Sequence, residues 1–161
     1  MIKNLLLVIC SLFIFQVNIL YSQEEKKVGK VTGLEIPRFV SLKKSKTFLR
    51  RGPDKSYKID WILERNNYPL KVIAEHEHWR QVIDFQGDEG WVYFRLLSGK
   101  RTIIISQDEI FLRKTSKKNS NPIGILKYGV IGELIDKKGD FCSAKFQNLK
   151  GWINKNDVWG C

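Results

Sequence analysis

Hydrophobic positions beyond residue 38 fall in short runs that turn-forming residues separate. Residues 69–74 contain branched side chains, residues 79–85 partly alternate between apolar and polar, and residues 90–94 are aromatic and branched. Runs of this length, bounded by Gly, Asp or Asn, are typical of β-strands. Outside the N-terminal region, no stretch shows the sustained 3.6-residue period of an amphipathic helix. The pattern therefore predicts an all-β fold made of small barrels or sandwiches.

The chain also contains an internal repeat. FLRR at residues 48–51 returns as FLRK at residues 111–114, and FQ-x3-GWV at residues 85–92 returns as FQ-x3-GWI at residues 146–153. The matches occur in the same order and at a nearly constant offset. We interpret them as two copies of a module of roughly 55–60 residues.

The N-terminus has the pattern of an export signal. Lys3 precedes an apolar run at residues 5–20, and a polar segment follows it. We predict a signal peptide at residues 1–22, export to the periplasm or another extracytoplasmic compartment, and no membrane span after cleavage. The alternatives are an uncleaved anchor, for which the run is short, and lipidation at Cys10, where the bulky Ile9 is unfavourable. Residues 23–37 are charged and contain glycine, which predicts a flexible linker.

Length and charge narrow the possible functions. A chain of 161 residues is too short for a large doubly wound enzyme or a (β/α)8 barrel. The chain carries 28 Lys and Arg against 17 Asp and Glu, a formal net charge of +11. Loss of residues 1–22 would remove one lysine and no acidic residue, so the basic excess belongs to the remainder. That excess would attract carboxylates or phosphates, although export makes nucleic acid an unexpected partner.

Two cysteines remain beyond the predicted signal, Cys142 and Cys161. In an oxidising compartment they are a candidate disulfide, whose loop would contribute roughly 3 kcal/mol. The alternative is a buried Cys142 and a free or intermolecular thiol at Cys161.

Scattered residues of both copies carry a family resemblance. They are residues 49–53, Trp61, 69–74, 79–80, 89–92 and 96–99 in the first copy, and residues 112–113, 125–126, 129–132, 151–153 and 159–160 in the second. They resemble the bacterial SH3-like (SH3b) domain of exported envelope proteins. The second copy lacks the Gly-Pro pair of residues 52–53.

The resemblance implies two tandem SH3-like β-barrels, at residues 38–101 and 102–161. It also implies a non-catalytic binding module for peptidoglycan or for a cell-envelope protein or peptide. Two alternatives stay open: a structural or scaffolding partner of another exported protein, and a basic surface that binds phosphate-bearing polyanions.

Aromatic and basic side chains form the candidate ligand site. Strand alternation places Leu49 inward and Phe48 outward, and the same holds for Leu112 and Phe111. Outward aromatic rings beside basic residues could stack on sugars or hold a peptide. The candidate ligand-binding residues are Phe48, Arg50, Arg51, Tyr57, Trp61, Tyr93, Phe111 and Arg113. The alternatives are a contact between the barrels, a core role for the tryptophans, and a merely solvated basic surface.

Catalysis and metal binding find little support in the sequence. His76 and His78 alternate within the motif EHEH, but two imidazoles without a third ligand do not make a zinc site. Cys142 has no histidine in its own copy, and no carboxylate pair suggests a glycosidase. We therefore predict no enzyme activity, no metal and no cofactor.

Overall fold

The computed structural model of the protein describes residues 27–161. The predicted signal peptide at residues 1–22 and the first part of the predicted linker lie outside these residues. In the part of the chain that is described, no helix combines the length and the apolar character that a membrane crossing requires.

The first half of the fold is a seven-stranded antiparallel sheet with the order β3-β2-β6-β5-β4-β1-β7. A 3₁₀ turn, Phe94–Leu96, precedes its last strand. The strands are β1 (Arg38–Leu42), β2 (Thr47–Arg50), β3 (Ile59–Leu63), β4 (Pro69–His76), β5 (Trp79–Ile83), β6 (Glu89–Tyr93) and β7 (Leu97–Ser98).

The second half is another seven-stranded antiparallel sheet with the corresponding order, β10-β9-β13-β12-β11-β8-β14. It too has a 3₁₀ turn, Lys155–Asp157, before its last strand. The strands are β8 (Thr102–Ile105), β9 (Glu109–Arg113), β10 (Pro122–Lys127), β11 (Ile131–Lys138), β12 (Phe141–Phe146), β13 (Leu149–Asn154) and β14 (Val158–Trp159). The prediction of an all-β fold is confirmed, with two antiparallel sheets.

Side-chain alternation on the strands builds two apolar clusters, one within each half. On β2, Leu49 is fully buried while Phe48 is 38% exposed, as a half-buried strand requires. Strand β8 is buried along its whole length because it lies between the clusters. Ile104 packs into the first cluster, and Ile103 and Ile105 pack into the second.

Further contacts join the two halves. The rings of Phe39 on β1 and Trp159 on β14 meet edge to face at 4.7 Å. The Thr102 hydroxyl donates a 2.7 Å hydrogen bond to the carbonyl of Asn67. Arg101 donates to the carbonyl of Gly160 and lies over the ring of Phe39. These contacts, together with the packing of Ile104 on β8 into the first cluster, hold the two sheets against each other.

Residues 27–37 pack against the first sheet, unlike the flexible linker that their composition predicts. The buried carboxylate of Glu75 on β4 accepts hydrogen bonds from the backbone N–H groups of Val31 and Thr32 and from the Thr32 hydroxyl. It also pairs with Arg38 at 2.7 Å and Arg80 at 3.4 Å. We call residues 27–37 the N-terminal strap. The carboxylate that holds it lies far away in sequence, so local composition could not reveal the attachment.

At the other end of the chain, a disulfide joins Cys142 on β12 to Cys161, with the two Cα atoms 6.3 Å apart. Cys142 is fully buried in the second cluster, and Cys161 packs against that cluster. The bond therefore ties the residues that follow β14 to the middle of the second sheet.

Candidate functional site: two equivalent grooves

The first groove lies where β2 meets the turns that follow β4 and β6. It has a volume of about 210 Å3 and is lined by Phe48, Arg50, Lys55, Trp79, Tyr93 and Leu96. Strand register explains its aromatic wall, because Trp79 on β5 pairs directly with Tyr93 on β6. Their rings meet at 5.7 Å, within the range of a favourable aromatic pair.

Arg50 shapes the opposite side of the first groove. Its guanidinium donates a 2.8 Å hydrogen bond to the carbonyl of Tyr57 and lies 5.9 Å from the centre of the Phe48 ring. The hydrogen bond holds the loop between β2 and β3, and the Tyr57 ring lies over Gly52 in that loop. Lys55, at the exposed part of the same loop, adds a second positive charge at the rim.

Only some of the candidate residues from the sequence come together here. Phe48, Arg50 and Tyr93 line the first groove, and Tyr57 adjoins it through Arg50. Arg51 points elsewhere, because its guanidinium forms a 2.8 Å ion pair with Asp60. Trp61 lies on β3, at the edge of the sheet, and is 51% exposed.

Trp61 is outside the groove for a geometric reason. It is paired with Leu49, whereas Phe48 is paired with Ile62. Directly paired residues lie on the same face of a sheet, so Trp61 and Phe48 point to opposite faces. A core role does not describe Trp61 either, whereas Trp79 is buried.

The second groove occupies the corresponding place in the second sheet and has a volume of about 420 Å3. Phe111, Arg113 and Lys118 take the places of Phe48, Arg50 and Lys55. Arg113 repeats the arrangement of Arg50: it donates a 2.7 Å hydrogen bond to the carbonyl of Ser120 and lies 5.8 Å from the centre of the Phe111 ring. The other lining residues are Gln107, Glu109, Ile110, Phe141, Asn154 and Asp157.

The second groove contains the partly buried side chain of Asp157. Partial burial raises its pKa above the ordinary value for an aspartate, and the positive charge of Arg113 opposes that rise. The carboxylate is therefore poorly solvated and favours a nearby cation.

Several groove residues escaped the sequence analysis. Trp79 and Leu96 line the first groove, and Asp157 lines the second, without having been predicted as ligand contacts; Lys55 and Lys118 were expected only as part of a basic surface. The one available signal was the repeat itself, because Lys55 and Lys118 occupy matching loops.

The EHEH motif has a structural role at its first residue. Glu75 holds the N-terminal strap. His76 lies beside the Trp91 ring at 6.4 Å, and His78 stacks on Phe94 at 5.8 Å. Within residues 27–161, no group of three or more His, Cys, Asp or Glu side chains is placed to hold a metal ion.

Comparison with known families finds a match within the first half of the fold. Residues 43–99 match the family model of the bacterial SH3 domain. The matched segment begins just before β2 and ends just after β7, so it contains every residue that lines the first groove. This match confirms a bacterial SH3 domain over residues 43–99.

The solved structures to which this chain is similar include NlpC1 from Trichomonas vaginalis, at 10% identity and a TM-score of 0.36, with 81% of this chain and 48% of that chain covered. An NlpC/P60 family protein from Bacillus cereus is 12% identical with a TM-score of 0.35, covering 75% and 55%. NlpC2 from Trichomonas vaginalis is 12% identical with a TM-score of 0.35, covering 76% and 48%. This chain spans about half the length of each. No curated protein matches the sequence.

Proposed function

We propose that this protein is a non-catalytic, exported binding module that recognises peptidoglycan or a cell-envelope protein or peptide. The observation that carries the proposal is the first groove, where the rings of Phe48, Trp79 and Tyr93 lie beside Arg50 and Lys55. The bacterial SH3 domain is a cell-wall binding module, and the groove lies within the segment that matches it.

The chemistry of this groove suits the proposed ligand class. Ring faces pack against sugar rings and peptide backbones, and the two cations suit carboxylates such as those of peptidoglycan stem peptides. Arg50 is held by the Tyr57 carbonyl and the Phe48 ring, so its remaining N–H groups are oriented before a ligand arrives. Such preorganisation lowers the entropic cost of binding.

The test is retention of the purified protein on isolated sacculi. We expect Phe48→Ala to reduce retention about tenfold, because truncation of an aromatic residue that dominates a binding site costs more than about 1 kcal/mol. Trp61→Ala is the matched control, since Trp61 is an exposed aromatic residue of the same sheet that lies outside the groove. Failure of the unmodified protein to bind sacculi at physiological salt would reject the peptidoglycan form of the proposal.

A salt series in the same experiment separates the polyanion alternative. Binding that depends on phosphate neutralisation falls steeply with salt, whereas binding through the aromatic wall should weaken only modestly. A steep salt response together with indifference to Phe48→Ala would favour the polyanion reading of the basic surface.

A further inference from the structure

The second groove differs from the first at the positions that decide ligand chemistry. Phe141 pairs with Asn154 where Trp79 pairs with Tyr93, so an amide replaces a phenol ring. Asp157 ends the 3₁₀ turn of the second sheet, as Leu96 ends that of the first. A carboxylate thus stands where the first groove has an apolar side chain.

A second exchange of charge occurs at the start of β9. Glu109 directly precedes Ile110 on β9, as Lys46 directly precedes Thr47 on β2. Lys46 pairs with Glu64 at 3.5 Å, but Glu109 lines the second groove. The second groove therefore has carboxylates at two positions where the first half has a lysine and a leucine.

The charged side chains of the second groove do not form ion pairs with one another. Among the residues that the structure describes, neither Glu109, Asp157, Arg113 nor Lys118 takes part in an ion pair within 4 Å. Arg113 uses one guanidinium nitrogen on the Ser120 carbonyl, which leaves other N–H donors. Two cations and two carboxylates thus face one cleft with hydrogen-bonding capacity left over.

Size separates the grooves as well. Small-ligand sites in proteins have volumes of roughly 300–1,000 Å3. The second groove, at about 420 Å3, falls in that range, and the first, at about 210 Å3, falls below it. The first suits a stacked ring or one side chain, and the second has room for a short peptide.

We propose that the second groove binds a dipolar ligand, namely a short peptide end or amino acid that carries a free ammonium group and a free carboxylate. Asp157 and Glu109 receive the ammonium group, and Arg113 and Lys118 receive the carboxylate. Phe111 and Phe141 contact the aliphatic part between them. The proposal rests on the proposed binding function and assigns the second groove a ligand end that the first does not select.

The test uses four forms of trialanine with the full chain: both termini free, N-acetylated, C-amidated, and blocked at both ends. Titration followed by NMR should give the tightest binding for the form with both ends free. We expect a loss of about tenfold on blocking either end and no measurable binding when both are blocked. Chemical-shift changes should centre on Phe111, Phe141 and Asn154.

Two variants test which side chains bind the ammonium end and the carboxylate end of the peptide. Asp157→Asn should weaken the binding of free trialanine about tenfold and reduce its preference over the N-acetylated form. Lys118→Met should reduce the preference over the C-amidated form. Lys117→Met, which removes a neighbouring exposed lysine outside the groove lining, should leave all four titrations unchanged. An unchanged NMR fingerprint away from the second groove establishes that each variant is folded.

Three results would each overturn the proposal: equal affinity for all four forms, no binding of free trialanine at millimolar concentration, or chemical-shift changes centred on the first groove. These results are independent of sacculus retention, which depends on Phe48. Failure of the dipolar ligand and failure of the proposed function can therefore be told apart.

Discussion

The two halves of this protein have the same strand order but carry different side chains at corresponding positions. Strand order is the same in both sheets. At one corresponding position, however, the first half has Arg80, paired with the Glu75 that holds the N-terminal strap, and the second has Cys142, bonded to Cys161. Each sheet thus fixes one end of the described chain, one by charge and one by covalent bond. The comparison teaches that the strand framework tolerates very different chemistry at equivalent sites.

The largest effect is expected from breaking the charged attachment of the first half. Glu75→Gln would leave Arg38 and Arg80 without their buried partner, at a cost of about 3–5 kcal/mol in the free energy of unfolding. Chemical denaturation should show this loss, and the exposed Glu77→Gln is the matched control. A loss below about 1 kcal/mol would mean that the strap is held mainly by other contacts.

The same attachment predicts a pH dependence. Burial by itself would raise the pKa of Glu75. Hydrogen bonds from Thr32, Arg38 and the backbone of Val31 outweigh this effect and lower the pKa from 4.5 to about 2. A carboxyl group whose pKa is lowered in the folded state stabilises the protein at pH values above its pKa in the unfolded chain. This contribution is therefore complete above about pH 4.5 and is lost as the pH falls toward 2. Denaturation midpoints between pH 6 and pH 2 should fall less in Glu75→Gln than in the unmodified protein.

Breaking the covalent attachment of the second half is expected to cost about 3 kcal/mol. Cys161→Ser removes the bond at the end of the chain and leaves the buried Cys142 in place. Thermal unfolding with and without a reducing agent measures the difference, and the reductant should have no effect on the variant. If the reducing agent left the thermal unfolding of the unmodified protein unchanged, the result would contradict the presence of the disulfide.

The shared framework itself can be probed at two equivalent glycines. A Cβ atom at Gly90 would lie 2.6 Å from Leu49 Cγ, and one at Gly151 would lie 2.6 Å from Leu112 Cγ. Alanine at either position should cost about 1–3 kcal/mol through overpacking. Gly99→Ala, which meets nothing within 4 Å, is the control. Unequal losses at the two sites would show that the halves differ in rigidity as well as in chemistry.

The smallest expected effect comes from making the first groove resemble the second. Leu96→Asp places a carboxylate at the position that corresponds to Asp157. Affinity of the first groove for the ammonium end of free trialanine should rise about threefold, the size of a weak ion pair. NMR shifts at Tyr93 would report it, and Leu96→Asn is the uncharged control. No gain would indicate that the larger volume of the second groove matters more than its charge.

Much of the fold could be predicted from the sequence because strand signals are local. Alternation placed Leu49 inward and Phe48 outward, which the burial of the two side chains matches. The repeat pointed to corresponding residues such as Phe48 and Phe111, which line grooves at corresponding places in the two sheets. The grooves were harder, because Trp79 and Tyr93 meet only through the register of β5 and β6.

The sequence by itself determined an all-β chain with outward aromatic and basic residues. Short apolar runs, their alternation and the repeated motifs were sufficient, because side chains on a strand alternate between faces from one residue to the next. Tertiary structure alone decided that Trp61 lies off the groove, that Asp157 enters the second one, and that Glu75 holds residues 27–37. Each of these depends on which distant strand lies alongside, and that choice is made by burial of the whole apolar surface.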